Sequence, residues 1–289
     1  MSKLRYIFAA AALVVVTAAG PAQASITPTE LTVYALGPTQ NYVAQWSGSG
    51  STWTQIGGAA SAIYTGSAGL FETVPSTGDI LQYNGTPNSW TVIGGPGAAF
   101  VEGGGSLYAI GVGDAYVAKW NGPGNGWTII GGPAEEIFAG KAGLFALNPT
   151  SDDLFKYDGT PNQWSLVSTT PGQYAVGDST VYEVNGNNLD VEAWTGTGQN
   201  WTVIGGPSVE VYAGGTGVFE IALNSADIYR YNGTPNSWTE IGGPGAQFAS
   251  SLDNLYGLGP NNAYVAKWSG SGTAWSIIGG PSDGIAAGD

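Results

Sequence analysis

The chain has 289 residues, with no Cys, no His, and 21 acidic residues against 7 basic ones. A formal charge of −14 repels phosphate backbones and anionic lipid headgroups, so nucleic acid and membrane surfaces are poor partners. Lack of Cys rules out a disulfide framework, and lack of both Cys and His removes metal–histidine sites, the usual catalytic triads and thiol chemistry.

In chain order, the first segment reads as a leader. Lys3 and Arg5 form a short positive region, Tyr6 to Ala19 an apolar run, and Ala22-Gln23-Ala24 a small-residue cleavage site. Residues 1–24 are therefore expected to be a secretory signal peptide, residues 25–30 a short linker, and the protein secreted and extracellular. Without Lys3 and Arg5, five basic residues face 21 acidic ones, which makes the mature chain more acidic still. No later stretch approaches the roughly 20 apolar residues that span a bilayer, so no membrane insertion is expected. The 48 Gly and 16 Pro, with abundant Thr, Val, Tyr and Trp, oppose helix and favour short strands joined by tight turns. The chain is long enough to bury a core without staples.

From there the sequence repeats. YNGTPNSWTVIGGPG, beginning at Tyr83, returns as YNGTPNSWTEIGGPG beginning at Tyr231. Trp53, Trp90, Trp127, Trp164, Trp201, Trp238 and Trp275 stand 37 residues apart, without insertion or deletion. One unit holds four candidate strands, Glu210–Ala213, Gly217–Ala222, Asp227–Tyr231 and Trp238–Ile241, punctuated by Gly, Pro and Asn clusters. Four short strands per unit, repeated, are the sequence form of a β-propeller. The 15 residues from Trp275 to the end complement the 22 from Leu31 to Thr52, so residues 31–289 make seven units of 37. The expectation is an all-β, seven-bladed β-propeller closed by a clasp blade: an innermost strand near Ile285–Ala287 from the C-terminus, and three strands from the N-terminus. Joining the ends in one sheet removes free edges. A solenoid is the alternative, but it would need polar capping repeats where these ends are incomplete halves.

Several columns recur within the unit. Small residues follow the apolar pair in Tyr64-Thr65-Gly66, Phe138-Ala139-Gly140 and Tyr212-Ala213-Gly214, as expected where inner strands crowd near an axis. Tyr34, Phe71, Tyr108, Phe145, Tyr182, Phe219 and Tyr256 are expected to fill the space between blades, and the Trp53 column to wedge between them. A second aromatic column alternates: Trp46, Tyr83, Trp120, Tyr157, Trp194, Tyr231 and Trp268. Such rings either cover a blade corner or offer a platform to the apolar face of a sugar. Immediately before them stand Gln45, Gln82, Lys119, Lys156, Ala193, Arg230 and Lys267, which include four of the five cations downstream of the leader. Their stems either cover apolar surface while pairing with carboxylates, or supply donors to hydroxyl-rich ligands at several weak, equivalent sites.

Catalysis finds little support, because adjacent carboxylates such as Glu135-Glu136 and Asp152-Asp153 point to opposite faces of a strand or lie solvated on turns. The protein is not expected to be an enzyme, and no cofactor or metal is expected. Asp79, Asp153, Asp190 and Asp227 recur at the entrance to the third strand, where a turn-stabilising side-chain bond to backbone explains them better than calcium. Asn84-Gly85-Thr86 and Asn232-Gly233-Thr234 match a glycosylation triplet but read more simply as Asn-Gly turns.

The unit W-T-x-I-G-G-P, apolar-Ala-Gly, Gly-Leu-Phe, Asp-Ile-Tyr-Arg-Tyr-Asn-Gly resembles the tectonin repeat of tectonin-type propeller lectins, over residues 31–289. The resemblance implies a propeller that binds carbohydrate, with glycans or cell-surface polysaccharide as partners, at or between blades. The candidate ligand residues are then Trp46, Tyr83, Trp120, Tyr157, Tyr231 and Trp268, with Gln45, Gln82, Lys119, Lys156, Arg230 and Lys267 beside them; a monomer suffices. The unit begun by Trp164 departs from the pattern, with Ser168-Thr169-Thr170 in place of Gly-Gly-Pro and Ala193 at the basic register, so its site is expected to be defective. The rival reading is a protein-binding or structural propeller that docks partners on its flat faces.

Overall fold

A computed structural model describes residues 32–288. The segments expected to be signal peptide and linker lie outside the described residues, as do Leu31 and Asp289. Twenty-eight strands form seven antiparallel four-stranded sheets. Blade 1 combines β28 (Gly284–Ala287), innermost, with β1 (Val33–Leu36), β2 (Val43–Trp46) and β3 (Trp53–Gly57). Blades 2 to 7 follow in sequence as β4–β7 (62–94), β8–β11 (97–131), β12–β15 (136–168), β16–β19 (172–205), β20–β23 (208–242) and β24–β27 (247–279). The chain is thus a seven-bladed β-propeller with the expected clasp. In blade 6 the inner strand is longer than expected, Ser208–Gly214, because a bulge at Ser208/Glu210 lets pairing continue past an irregularity.

Closure joins the two ends of the chain tightly. Val33 to Leu36 pair with Ala287 to Gly284, and the Gln247 side chain bridges blade 7 to β28 by accepting from Ile285 N–H (2.9 Å) and donating to its carbonyl (3.0 Å). Gln173 makes the same double bond with Val211 across blades 5 and 6. Toward the axis the inner strands do crowd: a Cβ on Gly103 would lie 2.3 Å from the Ala139 backbone, and one on Gly140 2.6 Å from the Val176 carbonyl oxygen.

The strict Trp register has a hydrogen-bond explanation. In each blade the third and fourth strands meet with a one-residue bulge, and the unpaired residue is the apolar one before Gly, or before Ser168 in blade 4: Ile56, Ile93, Ile130, Val167, Ile204, Ile241 or Ile278. A bulge leaves that carbonyl without a ladder partner. The next blade's Trp supplies one: Trp90 Nε1 donates to the Ile56 carbonyl at 2.9 Å, and Trp127, Trp164, Trp201, Trp238 and Trp275 repeat this at 2.7–3.1 Å. Trp53 closes the circle on Ile278 at 2.7 Å. At Gly205 and Gly242 the same contact leaves no room for a side chain, since a Cβ would lie 2.2 Å from Trp238 Nε1 and 2.6 Å from Trp275 Nε1, whereas blade 4 fits Ser168 at this position under Trp201. In YNGTPNSW the second Asn joins in. Asn88, left-handed at φ 61°, donates its backbone N–H to the same Ile56 carbonyl at 2.7 Å, as Asn162 does to Ile130 and Asn236 to Ile204.

Candidate functional site

Three of the seven rings of the second aromatic column are interior and the other four half-buried. Trp46, Trp120 and Trp268 are buried, each edge-on to a ring of the preceding blade: Tyr256 (6.1 Å), Phe71 (5.4 Å) and Phe219 (6.4 Å). Trp46 and Trp268 also turn their indole N–H onto the carbonyls of Gly50 and Gly272 in their own turns. With a neighbouring blade on the ring, and in Trp46 and Trp268 the N–H engaged as well, these three indoles have no open face for a sugar. Tyr83, Tyr157 and Tyr231 are half-buried and lean on the Trp of their own blade at 4.9–5.1 Å. The interblade role expected for the Phe71 column holds, since these same rings are the partners of Trp46, Trp120 and Trp268.

The basic register does meet an aromatic ring, but that of the next blade. Lys156 sits 5.2 Å from the centre of Trp194, Arg230 5.7 Å from Trp268 and Lys267 5.6 Å from Trp46, while Lys119 lies over Tyr108 of its own blade at 5.9 Å. These are partly desolvated cation–π contacts that cover blade seams. Gln82 is buried and Gln45 half-buried in the same register. The fifth cation, Lys141, reaches Asp178 at 3.2 Å.

Open space lies at the other end of the blades, where Gly-Gly-Pro loops face the loops between second and third strands. A cleft of about 270 Å³ between blades 7 and 1 is lined by Tyr42, Trp53, Pro38 and Pro281 over a floor of Ala35 and Ala44. Its counterpart between blades 6 and 7, about 310 Å³, has Tyr264, Trp275, Pro260 and Pro244 over Gly257 and Ala266. Tyr116, Trp127, Ala109 and Ala118 hold the same registers at the junction of blades 2 and 3. The volumes are at the small end for ligand sites. The three Tyr are seated alike, because Gly37, Gly111 and Gly259 leave room for the rings of Tyr42, Tyr116 and Tyr264; a Cβ there would fall 2.4–2.6 Å from ring atoms.

Why these junctions and not the others follows from two registers. In blade 2 the floor positions carry Glu72 and Leu81, in blade 4 Ala146 and Phe155, and in blade 6 Glu220 and Tyr229. Those larger side chains occupy the space that Ala and Gly leave. At the Tyr42 register the same blades have Asp79, Asp153 and Asp227, and their turns are held by hydroxyls, not by the carboxylate-to-backbone bond expected: Thr77 and Ser151 donate to the carboxylates of Asp79 and Asp153 at 2.8 and 2.7 Å, and Asp227 N–H donates to the Ser225 hydroxyl at 3.2 Å. Among the described residues no group of three or more carboxylates is placed to hold a metal ion.

At the junction of blades 4 and 5, Ser168-Thr169-Thr170 stand in place of Gly-Gly-Pro, and blade 5 has Asp190 at the Tyr register and a buried cross-strand pair, Glu183 and Glu192, on the floor. Asn185 Nδ2 donates to Glu192 at 2.9 Å, whereas Glu183 Oε2 has no hydrogen-bond partner. Burial, and then the Glu192 charge, push the Glu183 carboxyl up to about 7, and burial alone does the same to Glu72. A carboxyl whose folded pKa is raised contributes fully below its unfolded pKa near 4.3, and its contribution is lost as pH rises through about 7. Thermal unfolding is therefore expected at higher temperature at pH 5 than at pH 8, with roughly 2 kcal/mol per group at stake. Glu72→Gln and Glu183→Gln should each flatten the profile; an unchanged pH dependence in both variants would show that the two carboxyls do not govern it.

No family model and no curated protein matches the chain. Solved structures of similar fold include a functionally unknown protein from Desulfotomaculum acetoxidans DSM 771, with TM-score 0.60, 11% identity, and coverage of 89% of this chain and 98% of that one. YCF48 bound to a D1 peptide superimposes with TM-score 0.57 at 11% identity, over 82% and 91% of the two chains. Apo AztD from Citrobacter koseri gives 0.55 at 11% identity, over 89% and 97%. At such identities the likeness is one of fold: this chain is a β-propeller whose structural neighbours have varied functions.

Proposed function

We propose that the protein is a secreted, non-enzymatic, multivalent carbohydrate-binding propeller whose ligands are glycans seated in the clefts between blades. The observation that carries this reading is the recurrence of one aromatic set, a Tyr seated on Gly and a Trp in the same register at three junctions, facing each other across a Pro-lined cleft at two of them. Aromatic walls suit the apolar face of a sugar, while the loop carbonyls and hydroxyls around them suit its rim. Three weak sites on one rigid ring gain avidity toward a repetitive polymer. The resemblance to tectonin-type lectins points the same way.

A glycan array followed by calorimetry tests the proposal; no binding to any glycan at millimolar concentration would sink it. The rival, a propeller that docks a protein on its flat faces, predicts binding that survives loss of the three cleft Tyr side chains.

A further inference from the structure

A carboxylate stands near the Gly-Gly-Pro loop at each of the three junctions. Asp227 Oδ1 lies 3.8 Å from the point where a Cβ on Gly243 would stand, and Gly243 lines the cleft under Tyr264. Asp79 Oδ1 is 4.0 Å from the same point on Gly95, at the junction that holds Tyr116. In the third cleft Asp283 follows the lining residue Ser282, and Gln40 Nε2 donates to its carboxylate at 2.7 Å. The three acids come from two different registers, so the blade repeat alone does not account for an acid at all three junctions.

The cations are confined to one end of the ring, whereas acids stand at both, Asp158, Asp178 and Asp253 among them at the cation end. Asp114, Glu136, Asp153 and Asp190 lie on loops or strand ends at the cleft end. Lys119, Lys156, Arg230 and Lys267 are next to last in their third strands, at the opposite end, and Lys141 stands in the turn after β12 (Glu136–Gly140), at that same opposite end. Among the described residues no cation therefore lies on the cleft face. Two aromatic walls and a carboxylate, set in a field with no competing positive charge, make an ammonium-binding arrangement: the rings attract a cation through their quadrupole and the acid pairs with it. A neutral sugar would use the rings alone.

The geometry points to a cationic glycan as the ligand, namely an amino-sugar polysaccharide of the glucosamine type with free, protonated amines. This rests on the carbohydrate reading above and narrows it. Successive amines along such a chain can engage one cleft after another, which a single neutral sugar residue cannot do.

Calorimetry on the full chain at mildly acidic pH, with three tetrasaccharides, tests it: the glucosamine tetramer, its fully N-acetylated form and cellotetraose. The free-amine tetramer is expected to bind at least about tenfold tighter than either neutral one, with the advantage fading at high salt. Asp79→Asn/Asp227→Asn/Asp283→Asn should lose the preference while keeping the neutral binding, and Asp227→Asn alone should lose part of it if the triple variant folds poorly. Equal affinity for all three sugars would overturn this inference and leave the carbohydrate reading standing. Binding of tetralysine as tight as that of the glucosamine tetramer, with no binding of neutral sugars, would overturn both, since the face would then be selecting charge and not sugar.

Discussion

Trp268→Ala is expected to lose about 3–5 kcal/mol of stability, the usual cost of emptying a large aromatic site in a packed core. Its indole is 4% exposed, meets Phe219 edge-on across the blade 6–7 seam, lies beneath Arg230 and donates to the Gly272 carbonyl. Removing it leaves a cavity between two sheets that cannot move together, because each is riveted to its neighbours by Trp indoles. It also uncovers Arg230, whose buried Nε already lacks a partner. Chemical denaturation checks this: a midpoint shift at constant slope is the expected result. A variant of wild-type stability that no longer binds sugar would instead make Trp268 a ligand platform.

The second large effect concerns closure. Ending the chain after Gly280 removes Ser282, Ile285 and the whole of β28. With them go the four-residue pairing to β1, the Ser282 hydroxyl bond to the Leu36 carbonyl at 2.7 Å, and both partners of the Gln247 side chain. What remains is a ring with two bare ends, an exposed edge on β1 and an unsatisfied amide on Gln247. The loss, roughly 5 kcal/mol or more, is comparable with the whole stability of a typical domain. The truncated chain is expected to aggregate or to remain unfolded by circular dichroism and size exclusion. A soluble, cooperatively folding product would mean that the other six blades close without the clasp.

How far the sequence reaches can be judged from single registers. The 37-residue step of the Trp column is enough to read blade number, strand order and clasp, because each Trp marks the same place in its blade, where it reaches one carbonyl of the preceding blade. The alternation of Trp46 and Tyr83 types was also legible, and it marks a real difference between junctions. Its meaning was not. Whether Trp46 faces solvent or a neighbouring sheet depends on contacts with Tyr256, more than 200 positions away in the chain, and no local pattern reports that. The cleft residues left a fainter trace: Tyr42, Tyr116 and Tyr264 alternate with Asp79, Asp153 and Asp227 at one register, in step with the Trp/Tyr alternation four residues on. The floor, Ala35 with Ala44 and Gly257 with Ala266, is a pair of small residues that meet only across strands, and small residues in a propeller look like ordinary packing.

The second Asn of YNGTPNSW shows the same limit at a finer scale. An Asn-Gly turn could be read from the phrase, and Gly85 at φ 79° fits it. That Asn88 and Trp90 converge on one bulge carbonyl of the blade before could not, since the bulge arises from a register shift between strands and not from either residue. The phrase is repeated for shape, and what it secures is the seam on which the clefts at other junctions depend.

The central claim is that shape resides in the repeated Trp and basic columns, whereas recognition resides in the clefts. Its most direct test is calorimetric titration of the triple variant Tyr42→Ala/Tyr116→Ala/Tyr264→Ala, alongside its melting curve, with the glycan that wild type binds best. The expected result is loss of binding by at least about tenfold, with a much smaller loss of stability than Trp268→Ala causes. Full retention of affinity in a folded triple variant would contradict it.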